Sequence, residues 1–165
     1  MAGLGHLGFG FAAKPIAPKV HLFVLLIATE LIDILWGVFY FTGIDRNSIG
    51  MDSSPWSHSL FMSVIWSVLA SLIAGRIYHD RRSGIIIGLL VFSHWLIDFI
   101  THPMGAIFGG TPLPADLPLF FNGSTKVGLG LYNHSFTIAI ATDLAMLIIG
   151  IAIYVFYKIK LQKQK

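Results

Sequence analysis

Four long apolar runs, separated by polar or breaker-rich segments, set the pattern of this chain. They cover residues 20–42, 58–78, 84–101 and 131–157, and a helix needs ~20 apolar residues to cross a bilayer. The pattern predicts an all-α fold, a polytopic transmembrane helical bundle of about four spans forming a single integral membrane domain over residues 1–165. Residues 43–57 read as a polar loop with Asp45, Arg46, Asn47, Asp52 and Pro55, and His79–Arg82 as a tight charged turn. The connection 102–130 holds four of the seven prolines and reads as long and irregular; a loop of that length in a small domain is often functional. Residues 1–19 are Gly-rich and mildly apolar, closed by Lys14, Pro15, Pro18 and Lys19. They are too short to span and predict a half-length or interfacial helix over Leu4–Ala13. With no basic start before that apolar stretch, a cleavable signal peptide is not expected.

Charge adds a direction. Only 12% of residues are charged, against 55% hydrophobic, and the mean hydropathy is +0.76, well outside the soluble range. A pI near 9.3 does not point to nucleic acid, because the basic residues flank apolar runs. Lys14, Lys19, Arg76, Arg81, Arg82, Lys158, Lys160, Lys163 and Lys165 fall on one side of a four-span map, and only Arg46 and Lys126 on the other. The positive-inside rule puts the nine in the cytoplasm. The expectation is a multi-pass protein of the inner (plasma) membrane with both termini cytoplasmic and 102–130 as an outer loop. Its partners would be membrane lipids, with a larger membrane complex or a homo-oligomer beyond them. Cysteine is absent, which removes disulfides, thiolate ligands and a cysteine nucleophile.

The polar residues inside the runs carry the chemistry. His94, Asp98 and His102 follow an i, i+4, i+8 spacing and share one helix face. On the map, Glu30 and Asp33 of the first run, His58 at the start of the second and His134 at the start of the fourth fall toward the same outer depth. Ionisable groups in a membrane helix are costly unless paired or functional. Histidine and carboxylate without cysteine suit a divalent metal ion, zinc first, with Mn, Fe or Ni as alternatives. Asp98 and Glu30 are the catalytic candidates, as ligand or general base, and the number of ligands leaves room for two ions. Blander roles stand beside these. A His at a span end is commonly interfacial, Glu30 and Asp33 can relay protons, and Trp36, Trp56, Trp66 and Trp95 are simplest as anchors. Asp143 lies nine residues from His134, about 180° around a helix, so the two do not face one point; it reads as a partner for bundle hydroxyls or part of a proton path.

Several short motifs resemble those of the YdjM-like family of membrane-bound, inner-membrane metal-dependent hydrolases. They are Gly5-His6-Leu7, Glu30-Leu31-Ile32-Asp33, Trp56-Ser57-His58-Ser59-Leu60, and Ser93-His94 through Asp98 to Thr101, followed by Pro103 and Gly105. The order matches over about residues 5–121. The early acidic motif lacks its Pro, one Asp and its trailing His, with Glu30 as a substitute. His102 and His134 stand outside the family pattern. The resemblance implies a metal-dependent hydrolase and brings in His6 as a further ligand. His6 falls on the cytoplasmic side of the map, unless residues 1–13 form a half-helix entering from outside.

The functional expectation is hydrolysis by metal-activated water at an outer-leaflet site, on a lipid or lipid-linked ester or phosphoester. The alternative is a non-catalytic membrane subunit, or a proton- or metal-conducting protein, on the same fold.

Overall fold

The computed structural model describes residues 4–44, 55–108, 112–121 and 123–164. Most of the predicted polar loop 43–57, with Arg46, lies outside them. Four helices are long and apolar enough to cross a membrane: α2 (Leu22–Thr42), α4 (Leu60–Ile77), α5 (Arg81–Thr101) and α7 (Phe136–Gln162). Shorter helices are α1 (Leu4–Ala13), α3 (Pro55–His58) and α6 (Gly105–Phe108). A small antiparallel pair, β1 (Leu117–Pro118) and β2 (Lys126–Val127), sits in the long connection, with Leu117 opposite Val127. Large apolar side chains such as Phe23, Leu72, Leu89, Ile148 and Phe156 point outward, as lipid-facing residues must.

The helix boundaries follow their caps. Ser59, Asp80 and Ser135 are N-caps whose side chains accept from Met62, Ser83 and Ile138 N–H. Ser59 therefore separates His58, on the one-turn α3, from the second span. Asp80 starts the third span three residues earlier than the apolar run does. Ser135 starts the fourth five residues later than expected, leaving Leu131–His134 to the loop. Gly43 ends α2 in the left-handed region, φ 85°, where a side chain is strained.

The centre of the bundle is α5, with 56% of its most apolar stretch buried against 22% or less in the other spans. It packs on α4 through small residues: a Cβ on Gly84 would meet Ser71 O at 2.6 Å, and one on Gly88 would meet Ser67 O at 2.8 Å. With Gly75 these residues let two backbones approach closely, the usual route to membrane helix pairing.

α7 reaches the bundle mainly through α1. A Cβ on Gly8 would collide with the Met146 carbonyl, and one on Gly150 with the Gly8 carbonyl. Gly5 faces Asp143, Phe11 faces Tyr154, and Lys14 feels the charge of Lys158, so α1 and α7 run parallel. α1 thus ends at the basic side with Lys14, whose Nζ donates to Pro18 O and Val20 O. Burial, then Lys158, lowers the Lys14 pKa. The other end of α1 points into the bundle, and Asp143 accepts from Gly5 N–H there at 3.1 Å. A carboxylate at a helix N-terminus is favourable, which gives Asp143 a capping role.

The C-terminal end of α5 is closed by the returning loop. Leu129, Gly130, Leu131 and Tyr132 N–H donate to the carbonyls of Phe99, His102, Ile100 and Thr101, satisfying the helix's orphan acceptors. Asn133 ties the loop together by accepting from Gly105 and Leu113 N–H and donating to Leu113 O.

Candidate metal centre

The structure gathers His6, Asp33, His58, His94, Asp98 and His102 from α1, α2, α3, α5 and the residue after it. Asp98 is at the middle, 2% exposed. Its Oδ2 lies 3.4 Å from His94 Nε2 and 3.7 Å from His58 Nε2. Its Oδ1 lies 3.5 Å from His6 Nε2 and 3.9 Å from His102 Nε2. Asp33 Oδ1 adds contacts of 3.1 Å to His58 Nε2 and 3.5 Å to His94 Nε2. His6 stacks on His94 with ring centroids 4.1 Å apart. Among the described residues, two triads have ligand atoms close enough to hold an ion: His6, His94 and Asp98, and Asp33, His58 and His94.

The imidazoles are held from behind. His94 Nδ1 donates to the Thr29 carbonyl at 2.6 Å, and a carbonyl only accepts, so in the neutral ring Nε2 carries its lone pair inward. His102 Nδ1 faces both oxygens of Asp116 at 3.2 and 3.0 Å, which leaves its Nε2 inward. His58 Nδ1 pairs with Ser57 Oγ at 2.8 Å. A second partner that fixes tautomer and ring orientation is the usual support of a metal-binding His. Burial disfavours charge on His102, but the Asp116 hydrogen bond, with the charges of Asp98 and Asp116, outweighs it and raises the pKa.

Simple ion pairing fits the spacing less well. A charge-assisted N–H to carboxylate bond closes to ~2.7–2.9 Å. Here five of the six Nε2 to carboxylate separations around Asp98 and Asp33 stand between 3.4 and 3.9 Å. His94 Nε2 and both nitrogens of His6 are buried with no hydrogen-bond partner. Ligand atoms ~2.1 Å from one tetrahedral ion stand ~3.4 Å apart. The four edges joining His58 and His94 Nε2 to Asp33 Oδ1 and Asp98 Oδ2 measure 3.1 to 3.7 Å. The donor set therefore fits a divalent ion.

The remaining predicted residues take different places. Glu30 lies one turn before Asp33, with Oε1 buried and unpartnered, and it feels the charges of His94, Asp33 and Asp98. His6 sits at the depth of Asp98, not at the cytoplasmic edge where the span map put it, because α1 is a half-helix with its first turn inside the bundle. His134 is exposed and joins neither triad. A residue at the end of a long loop can turn outward, and Ser135 starts the helix after it.

Two neighbours were not singled out in the sequence. Asp116 reaches His102 only because β1 and the Pro-rich segment fold back. Tyr132 is 1% exposed with its hydroxyl unpartnered; burial first, then Asp143 and Asp98, raises its pKa to about 12. Asp116 is the lone acid of the long loop 102–130, but its approach to His102 was not readable; nothing in the sequence marked Tyr132.

Fold and cluster together define a multi-pass membrane bundle with a buried His/carboxylate centre able to hold a metal ion. No protein-family model, curated protein or solved structure matches the chain.

Proposed function

We propose that the chain is a membrane-embedded, metal-dependent hydrolase, of the YdjM-like kind that its motifs resemble. The observation that carries this reading is the inward set of imidazole Nε2 atoms, two of them fixed by Thr29 O and Asp116, standing off two carboxylates at metal-ligand spacing. A zinc ion held by Asp33, His58, His94 and Asp98 would acidify a bound water to a pKa near ~7 and polarise an ester or phosphoryl oxygen. Glu30 is the proton acceptor. It takes the proton from the attacking water and returns it to the departing alkoxide as the ester bond breaks. Asp33, with 41% of its side chain exposed, marks the open side. The basic residues around 14–19, 76–82 and 158–165 support a cytoplasmic placement of that end, in an inner membrane. The centre then lies at outer-leaflet depth, where headgroup-linked esters or phosphoesters of lipids are within reach.

The test is metal analysis of the detergent-purified chain by mass spectrometry, with hydrolysis of p-nitrophenyl phosphate and p-nitrophenyl butyrate followed alongside. The expected result is metal that survives washing, is lost in His94→Ala, and supports phenanthroline-sensitive hydrolysis. A folded protein that binds no divalent ion after incubation with zinc or manganese refutes the proposal. Metal binding with ion flux in liposomes and no hydrolysis favours the conducting alternative.

A further inference from the structure

We infer that the centre is built for two divalent ions, with Asp98 as the bridge between them. This rests on the metal reading above.

The division is visible in how the imidazoles sort. Asp98 Oδ2 faces His94 and His58, which also meet Asp33. Asp98 Oδ1 faces His6 and His102, and neither of these pairs with Asp33 among the described residues. One carboxylate therefore offers each oxygen to a separate pair of nitrogens. A single ion has no use for the second pair. One tetrahedral ion takes four ligands ~2.0–2.2 Å from it, fewer than the four imidazoles and two carboxylates gathered here. Two ions bridged by a carboxylate stand ~3.5–4 Å apart, the span that such an arrangement serves.

The second half is supported as well as the first. His6 is 3% exposed, and both its nitrogens are buried without a hydrogen-bond partner. That is an expensive state for an imidazole unless a ligand completes it. His102 is 8% exposed and held by Asp116 in the carboxylate–histidine manner of a metal ligand. The first ion takes Asp33, His58, His94 and Asp98 Oδ2. The second takes His6, His102 and Asp98 Oδ1, with a position left open.

The experiment uses the full chain in detergent. It is stripped with chelator, reloaded with MnCl2 or ZnSO4, desalted and measured for metal per chain. Wild type should hold two ions, and its Mn form should give the multiline electron paramagnetic resonance spectrum of a coupled pair. His102→Ala should retain one ion and lose the coupled spectrum. Asp116→Asn, milder, should weaken the second ion about 10–100-fold and leave the first. An elution profile like wild type shows that a variant is folded. One ion per folded wild-type chain overturns the two-ion inference but leaves the hydrolase reading standing, whereas no ion overturns both. Two ions retained in a folded His102→Ala chain also overturn it, because the second ion then lies elsewhere.

Discussion

The same substitution, glycine to alanine, should act in opposite directions at Gly8 and Gly37. Both lie inside helices, where alanine is intrinsically favoured by about 1 kcal/mol. At Gly37 a Cβ meets nothing within 4 Å, so Gly37→Ala should keep most of that gain. At Gly8 the Cβ falls on the backbone carbonyl of Met146. A backbone atom cannot rotate away, so α1 and α7 must separate by on the order of 1 Å. Overpacking of this kind costs about 1–3 kcal/mol, which cancels the propensity gain and leaves a net loss of up to about 2 kcal/mol. The displacement also moves His6, two residues away, relative to Asp98. Thermal unfolding in detergent, followed by circular dichroism, should place the Tm of Gly8→Ala below wild type and that of Gly37→Ala at or above it. Isothermal titration with zinc should show weaker binding only for Gly8→Ala. If Gly8→Ala matched Gly37→Ala in both measurements, the close crossing of α1 and α7 would be wrong.

Other perturbations separate support from bystanders. Thr29→Ala should leave metal content unchanged, because the backbone carbonyl and not the side chain holds His94; loss of metal would show that the Thr29 hydroxyl matters instead. His134→Ala, at an exposed position outside both triads, should change metal content and Tm little, and metal loss on that change would place His134 in the centre. Asp80 is held down to about 2 by the Ser83 hydroxyl, then by Ser83 N–H and Lys19. Its folded pKa lies below the ordinary ~3.9, so its contribution is present above that value and disappears as the pH falls toward 2. The loss of Tm between pH 5 and pH 2.5 should be shallower in Asp80→Asn, and an unchanged slope would refute the cap assignment.

The spans were legible because apolar length is a direct consequence of bilayer thickness; their starts moved to the caps at His21, Ser59, Asp80 and Ser135, and the last span runs on to Gln162. Convergence was partly legible too. Depth along a spanning helix can be counted, so Asp33, His58, His94 and Asp98 could be assigned a common level, and the structure brings them side by side. Depth cannot be counted for a helix that does not span, which is why the map put His6 at the wrong end. Nor can it be counted in a loop: Asp116 was unreadable because its position depends on the fold-back of 112–127, and His134 was misjudged because a residue before a helix cap can face either way. Asp143 shows a further limit, since its partner is a backbone N–H from a helix 138 residues away in sequence, and no side-chain pattern encodes that.

The parallel pairing of α1 with α7 also sets an order of assembly. A ten-residue helix cannot hold itself across a bilayer, and its close crossing, Gly8 against Met146 and Gly150, uses the last span. During biosynthesis His6 emerges before every other member of the cluster, but the close crossing that fixes its helix forms only after the final span is inserted. The earliest member of the cluster is thus braced by the last helix, so a chain interrupted before α7 lacks the surface that α1 crosses most closely.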